Sequence, residues 1–454
     1  MSASPHSSGK STAALPSGPR PLSTLDATFL VMGGIIGVGI FYKPGEVARL
    51  LPETAPYFTA WGVGALAAVA GAMTFAELAA LLPREGGWFE YLREGVGRLP
   101  AFLFAWIVLL VISTGASAGV AEFCAFQVSR VMGWEASPGE LRALAAMIVL
   151  GVTGMGCLGL KTGAVLQNAC MAAKLLAIAV FVVAGLALVA PAAPAPAPAG
   201  APSVPVGLIR ATLPVLFTFG GWQLVTYIAP SVKDPVRTLP RAILGGVAGV
   251  AAVYGLLNLA YVRVLGLPAL ATEPDVASAL AIATLGASGA RFLSAAMAIS
   301  ALGFLVATLI STPGIYVAMA RQGLFFESAG RVHPRTGAPV RALLVQAAVC
   351  CAYLAWTSDV KGQLGDSVVF AEWIFHGLCA LALLRLAPAA PERPFRSPLF
   401  PLFPVLYALI ATGVVVGNLT SSDASVTSLG VGVLALGAVA YGAWMGLRRT
   451  ASRG

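Results

Sequence analysis

Long apolar stretches alternate with short polar segments along nearly the whole chain. A helix that crosses the hydrocarbon core of a bilayer needs roughly 20 apolar residues. The pattern predicts twelve such helices, over 24–48, 57–82, 100–130, 140–160, 164–190, 208–230, 241–265, 288–320, 340–357, 363–386, 400–419 and 427–447. Only short connections remain between them. We therefore expect an all-α membrane protein with about twelve transmembrane helices and no sizeable soluble domain.

Two of the predicted helices carry glycine where a membrane helix should continue. The first interruption is the segment GGIIGVGIF at 33–41, and the second is FTFGGW at 217–222. Glycine lets a helix unwind at little cost, which frees backbone N–H and C=O groups. Because such groups are costly in hydrocarbon without polar partners, paired interruptions in two halves of a membrane protein predict a small-molecule site.

The positions of the interruptions suggest an inverted repeat. They fall in the first and sixth predicted helices, which divides residues 23–386 into two halves of five helices each. An odd number of helices gives the halves opposite orientations, and transporters with this architecture bind their substrates near the membrane midplane. A Pro/Ala-rich linker at 191–202 joins the halves, and 387–454 add two helices and a short basic tail. Residues 1–22, rich in Ser, Pro and Gly, predict a disordered cytoplasmic tail.

The residues at the interruptions indicate what the site would bind. Unwinding at the first exposes N–H groups at the start of a half-helix, where partial positive charge suits a carboxylate. Unwinding at the second exposes carbonyl oxygens at the end of a half-helix, which suits an ammonium group. The candidate substrate-binding residues are Ile36, Gly37, Val38, Gly39, Phe217, Thr218, Phe219, Gly220 and Trp222. None is charged, so we expect a neutral α-amino acid.

Each of these features also has a plainer explanation, which the sequence leaves open. Glycine allows membrane helices to pack closely, and each motif taken alone fits that role equally well. Phe217 and Trp222 would either cover the site as a lid or contribute to packing only.

Two ionisable side chains lie deep in the predicted helices. A charge at such depth costs a few kcal/mol or more, and it is usually paired and often functional. Lys174 would supply a fixed positive charge where a sodium-coupled carrier holds an ion, and Glu122 would bind and release a proton. A structural ion pair or a hydrogen-bonded clamp is the alternative for each. Glu77, near the inner end of the second helix, is expected to extend toward the membrane surface.

Composition and charge narrow the class of protein. Hydrophobic residues make up 58% of the chain and charged residues 10%, which excludes an ordinary soluble protein. The net charge of +9 does not indicate nucleic acid, because most of the 28 Lys and Arg are spread over loops that face inward if both termini are cytoplasmic. The six Cys show no CxxC pattern and the three His are scattered. We therefore expect no disulfide framework, no metal site and no cofactor.

Several motifs, taken together, resemble those of amino acid permeases in the amino acid–polyamine–organocation (APC) superfamily. They are the first interruption, AEL at 76–78 with PREGG at 83–87 and YLRE at 91–94, FGGW at 219–222 with KDPVRTLPRA at 233–242, and AMARQG at 318–323. The similarity runs in consistent order from about residue 24 to 415, and the L-type and bacterial permeases look nearest.

This resemblance implies a LeuT-type fold, with broken first and sixth helices, and transport by alternating access. By position in the family pattern, residues 36–39 would meet the substrate carboxylate, and 217–220 would meet its amino group or side chain. Lys174 matches the fifth-helix lysine that replaces the second sodium ion in sodium-independent relatives. Glu122 matches a third-helix acid.

The resemblance and the residues together predict a secondary transporter of neutral L-amino acids in the cell membrane. It would work without sodium, by proton symport or by exchange. Its partners would be the amino acid, membrane lipid and, for symport, protons, whereas the sequence does not fix an accessory subunit or an oligomeric state. An enzyme is not expected, because no predicted helix carries paired His or clustered acids.

An alternative is a transport-inactive sensor or assembly subunit that keeps the permease fold. The chain differs from the family pattern at Pro230 and Ser231, where relatives often carry an acidic pair. It also differs at Val306 and Gly314, where relatives often carry Asn and Arg. These differences leave room for a protein that binds an amino acid without transporting it.

Overall fold

The computed structural model describes residues 21–193, 200–273, 275–356, 360–421 and 424–451. These residues are helical almost throughout, and their one β-bridge joins Leu22 to Val232. The α-helices, in chain order, are α1 Thr24–Ile35, α2 Lys43–Leu50, α3 Thr54–Leu81, α4 Trp88–Gly95, α5 Arg98–Ile107, α6 Ser113–Met132, α7 Pro138–Cys157, α8 Leu160–Ala187, α9 Val204–Thr218, α10 Pro235–Leu265, α11 Leu267–Thr272, α12 Val276–Leu285, α13 Ala287–Ser311, α14 Pro313–Arg321, α15 Val340–Trp356, α16 Val360–Leu386, α17 Leu402–Ser421 and α18 Ala424–Ala451. Short 3-10 helices cover Gly39–Phe41, Trp222–Ser231, Glu327–Gly330 and Ala387–Ala389, and a π-helical turn covers Val108–Ile112.

The helices agree with the apolar pattern of the sequence. Within the described ranges, nine helical stretches are long and apolar enough to cross a membrane: Thr54–Leu81, Arg98–Met132, Pro138–Cys157, Leu160–Ala187, Val204–Ser231, Pro235–Leu265, Ser288–Arg321, Glu372–Ala389 and Gly430–Arg448. Shorter apolar helices cover Thr24–Ile35, Val276–Leu285, Val340–Trp356 and Leu402–Gly417. The prediction of an all-α membrane protein is thus confirmed, whereas the count of twelve crossings stays a prediction.

Both predicted interruptions are real breaks in helices. Ser23 caps α1, since its hydroxyl accepts a hydrogen bond from the Asp26 amide at 3.2 Å and its own amide donates to the Asp26 carboxylate at 2.8 Å. α1 ends at Ile35, and residues 36–42, which include the 3-10 helix Gly39–Phe41, separate it from α2. Likewise α9 ends at Thr218, and Gly221 takes a φ of 111° before the next 3-10 helix begins.

Small residues allow the helices around the breaks to pack closely. Gly246 of α10 lies against Val31 of α1, and Gly163 of α8 lies against Ile310 of α13. Neither glycine has room for a Cβ atom unless the facing side chain moves. Such contacts, typical of membrane helices, place α1 between α8, α10 and α13.

Parts of the predicted domain plan lie outside the described residues. These are 1–20 of the predicted tail and 194–199 of the predicted linker. Leu22, the last residue of that predicted tail, donates its amide to the Ser231 carbonyl at 2.8 Å and accepts from the Lys233 amide at 2.9 Å. The chain just before α1 is therefore tied to the end of the 3-10 helix that follows the second break.

Candidate functional site at the two helix breaks

The two breaks touch each other through their glycines. A Cβ atom on Gly34 would lie 2.6 Å from the carbonyl oxygen of Gly221, and a Cβ atom on Gly221 would collide with the Gly34 carbonyl. Only glycine fits at both positions, because backbone lies directly on backbone and Gly221 also has a positive φ. The glycines thus allow close packing and also accompany unwinding, whereas the substrate site expected at them stays a prediction.

Backbone groups of opposite polarity are left without partners at the two breaks. Among the described residues, the N–H groups of Val38 and Gly39 donate to no acceptor. Phe219 and Gly220, at the second break, have carbonyl oxygens that accept no hydrogen bond from that same part of the chain. The first pair suits a carboxylate, and the second pair suits an ammonium group.

A buried lysine holds the first break from the side of α8. Lys174 is only 2% exposed, and its ammonium group donates to the carbonyl oxygen of Ile36. The hydroxyl of Ser300 on α13 lies 2.9 Å from the Gly37 carbonyl oxygen and 3.4 Å from that of Ile36. No ion pair involves Lys174 within the described ranges, so its charge is directed at a backbone carbonyl, as a bound cation would be.

Tyr254 of α10 joins the two breaks. Its buried hydroxyl lies 3.2 Å from the Ile35 carbonyl oxygen and 3.0 Å from the Thr218 carbonyl oxygen, so its single proton is within hydrogen-bonding distance of both. These carbonyls end α1 and α9 respectively, where an intrahelical partner is missing. One side chain therefore contacts the ends of both half-helices, and the Ile35 carbonyl also accepts from the Gly37 amide at 2.8 Å.

A side-chain bridge leads from the second break to α16. The Gly221 amide donates to Gln223 Oε1 at 3.1 Å, and Gln223 Nε2 donates to Glu372 Oε1 at 3.0 Å. Both ends of the amide are thus in use, which fixes its orientation. The bridge connects the backbone of the break to a carboxylate 149 residues further along the chain.

The nine predicted substrate-binding residues differ in exposure. Buried positions are Ile36, Gly39, Thr218, Phe219 and Trp222, and partly buried positions are Gly37, Val38 and Gly220. Phe217 is 44% exposed, and its ring lies close to Gly39. Trp222 is 2% exposed, and its ring centroid is 4.7 Å from that of Phe75 in an aromatic cluster, which is the packing arrangement considered for it.

The two predicted coupling residues are placed differently. Lys174 contacts the first break directly, as described above. Glu122 is partly buried on α6, and within the described residues it forms neither a hydrogen bond nor an ion pair. No described contact joins Glu122 to either break.

Glu77 is more deeply buried than the sequence indicated. It is fully buried, and its carboxylate is ion-paired with Arg393 and accepts hydrogen bonds from the amide and hydroxyl of Ser397 at 3.0 and 2.7 Å. The expectation that it extends toward the membrane surface is therefore wrong. Its partners follow α16, more than 300 residues away, so nothing near Glu77 in the sequence could indicate them.

The structure shows what surrounds two of the positions at which the chain differs from the family pattern. A Cβ atom on Gly314 would collide with the carbonyl of Tyr227, so the large side chain of an arginine would not fit there without rearrangement. Val306 is buried and lines a cavity between α1, α8 and α13, together with Leu30 and Gln167. This cavity borders α1 but does not include either break.

Sequence reasoning missed four residues that hold the breaks: Tyr254, Ser300, Gln223 and Glu372. Glu372 could have been found, because it is an acid inside the predicted helix 363–386, the same signal that singled out Glu122. The other three are uncharged and carry no comparable signal.

Comparisons with known proteins give one matching family and several relatives. The family described as amino acid permease matches residues 22–439. The chain is 28% identical over 370 residues to the serine/threonine exchanger SteT of Bacillus subtilis (strain 168), covering 81% of this chain and 83% of that protein. It is 28% identical over 377 residues to the b(0,+)-type amino acid transporter 1 of Homo sapiens, covering 80% and 75%. It is also 28% identical over 367 residues to the human large neutral amino acids transporter small subunit 2, covering 79% and 68%.

Proposed function

The chain belongs to the amino acid permease family, a family of multi-pass membrane transporters, and on that premise we propose that it carries neutral L-amino acids across the cell membrane by alternating access. The observation that carries this proposal is the contact between two breaks with unpaired backbone groups of opposite polarity. A zwitterion would satisfy both sets of groups at once.

The lining of the site favours a neutral substrate. None of the nine residues around the breaks is charged, so a charged substrate side chain would lack a partner among them. The relatives named above also transport amino acids, and the name of one specifies serine and threonine while that of another specifies large neutral amino acids. We therefore propose a neutral amino acid and leave its size to the experiment below.

Lys174 supports transport without sodium. Its ammonium group donates to the Ile36 carbonyl, so it already supplies positive charge to the carbonyls of the first break. A sodium ion held by the same carbonyls would repel the lysine. We propose that this lysine, together with Ser300, replaces a coupling ion, and that exchange or proton symport drives transport.

The membrane arrangement is part of the same proposal. We propose twelve crossings with both termini in the cytoplasm, because the basic residues are then concentrated on the inner side. Residues 23–386 would form the inverted-repeat core, and 387–454 would add two helices. Movement of α1 relative to the helices around it would alternate access.

The proposal is tested with purified protein in proteoliposomes. Vesicles loaded with unlabelled neutral amino acids should take up labelled ones from a sodium-free, choline-based buffer. Competition distinguishes the two receptors, because an amino acid should compete, whereas its methyl ester and the corresponding α-hydroxy acid should not. Equal competition by the ester would refute the carboxylate receptor at the first break, and a requirement for sodium would refute the role of Lys174.

A complete lack of uptake and exchange for every amino acid tested would overturn the transport proposal. If the protein then still showed a thermal shift with an amino acid, the transport-inactive sensor or assembly subunit would be the better explanation. The differences at Pro230, Ser231 and Gly314 are the features that favour this second candidate.

A further inference from the structure

A carboxylate without a strong cationic partner lies beside the second break. Glu372 on α16 accepts a hydrogen bond from Gln223, and within the described part of the chain no Lys or Arg forms an ion pair with it. The basic group nearest to it is the ring of His376, with Nε2 4.0 Å from Glu372 Oε1. A carboxylate in a membrane helix that lacks a fixed cation is a site where a proton binds readily.

The surroundings of this carboxylate are apolar or neutral. His376 Nδ1 lies 2.5 Å from the hydroxyl of Tyr407, and the imidazole ring is enclosed by Trp88 and Trp373 at centroid distances of 4.5 and 4.8 Å. The titratable groups that face Glu372 or His376 from the neighbouring elements are Tyr227 of the 3-10 helix, Tyr407 of α17, and Cys379 and His376 of α16 itself. None of these supplies a fixed positive charge.

The acids of α3 and α4, two of the helices packed against α16, have partners elsewhere. Glu77 of α3 is paired with Arg393, and Glu90 of α4 is paired with Arg93 at 2.9 Å. The side chain of Glu372 is 23% exposed, whereas that of His376 is 6% exposed. The carboxylate is therefore less enclosed by protein than the histidine.

We infer that Glu372 binds and releases the coupling proton and that Gln223 transmits its protonation state to the second break; this rests on the transport function proposed above. In the step concerned, the carboxylate of Glu372 takes one proton from water to form a neutral carboxylic acid, and it returns that proton to water on the opposite side. No bond other than this O–H bond forms or breaks.

Protonation of Glu372 changes the bridge to the break directly. A hydrogen bond from an amide to a carboxylate is roughly twice as strong as one to a neutral acid. The protonated acid can donate to Gln223 Oε1 only if the side-chain amide turns over, which takes Oε1 away from the Gly221 amide. Proton binding therefore loosens the hold of Gln223 on Gly221, at the point where the backbone of the break lies against Gly34.

The experiment compares Glu372→Gln with Glu122→Gln in proteoliposomes. Two assays are run on each variant and on the wild type: accumulation of a labelled neutral amino acid driven by an inward proton gradient, and exchange at equal pH on both sides. We expect Glu372→Gln to lose at least tenfold in gradient-driven accumulation while keeping equal-pH exchange. Glu122→Gln tests the other acid for which the sequence predicts this role, and a selective loss of accumulation in that variant, with accumulation intact in Glu372→Gln, would overturn the inference.

Infrared difference spectra between acidic and neutral pH provide a second readout. A protonated carboxyl band should be present in the wild type and absent in Glu372→Gln. If Glu372→Gln is inactive in both transport assays, Glu372→Asp decides: it keeps the carboxyl group and should accumulate amino acid with a shifted pH profile. Loss of accumulation in Glu372→Asp would overturn the inference.

Two further outcomes would also overturn it. One is a normal response of Glu372→Gln to the proton gradient. The other is a wild type that exchanges amino acids but ignores the gradient, which would leave the transport function intact and remove the proton site. A wild type without any exchange would instead contradict the proposed function itself, so the two failures are distinguishable.

Discussion

Replacement of Lys174 by methionine tests how the first break is held. Methionine is similarly long and unbranched, so Lys174→Met removes the charge and the donor with little change in packing. The lost hydrogen bond to the Ile36 carbonyl comes from a charged donor, and such bonds contribute roughly 1.5–3 kcal/mol. If this energy stabilises the conformation of the break that binds substrate, the population of that conformation should fall about 10- to 150-fold in the variant.

The effect on stability should be much smaller than the effect on transport. A buried ammonium group carries a desolvation cost of several kcal/mol, and the substitution removes that cost together with the hydrogen bond. We therefore expect the free energy of unfolding to change by less than about 2 kcal/mol. Dose-dependent exchange in proteoliposomes measures the first effect, and thermal denaturation in detergent measures the second.

A matched control separates the role of this lysine from a general effect of lost charge. Lys233 is exposed after the 3-10 helix, and Lys233→Met should exchange amino acids like the wild type. Wild-type exchange by Lys174→Met would refute the reasoning. Loss of exchange accompanied by an equal loss of stability would also refute it, because Lys174 would then act only as a structural clamp.

Three further predictions concern the frame around the site. Gly34→Ala forces a methyl group against the Gly221 carbonyl and should lower the free energy of unfolding by roughly 1–3 kcal/mol, measured by thermal denaturation; an unchanged value would contradict the backbone contact. Glu77→Gln leaves the buried Arg393 uncompensated and should cost roughly 3–5 kcal/mol, which urea or thermal unfolding would detect; a cost below 1 kcal/mol, about that of a surface pair, would disprove the burial. Asp26→Asn removes the ion pair that ties α1 to α8 and should increase hydrogen–deuterium exchange of α1 amides, whereas unchanged protection would show that the pair does not hold α1.

Local chemistry made the helices and the breaks predictable. Every predicted transmembrane segment contains a helix, because a long apolar stretch must satisfy its backbone internally. Glycine clusters marked the breaks at Gly37 and Gly221, because unwinding needs residues without a side-chain penalty. Lys174 stood out for a related reason, since a charge deep in an apolar stretch needs a partner.

The partners of those residues could not be predicted. The Tyr254 hydroxyl contacts two carbonyls, from half-helices whose ends are 183 residues apart in the chain, and no local pattern indicates that they share one hydroxyl. Glu77 finds Arg393 across more than 300 residues of chain. Glu122 and Glu372 are both acids in predicted helices, yet only Glu372 is linked to a break.

The sequence by itself determined that this chain is a helical membrane protein with two glycine breaks and an uncharged lining between them. It did so because hydrophobicity, glycine and charge act on the neighbouring backbone. Only the tertiary structure decided which groups meet at the breaks. Lys174 donates to the Ile36 carbonyl, the Tyr254 hydroxyl contacts both half-helices, and Gln223 bridges Gly221 and Glu372. These contacts join residues that are distant in the chain, and they form only when the packed helices bring the residues within hydrogen-bonding distance.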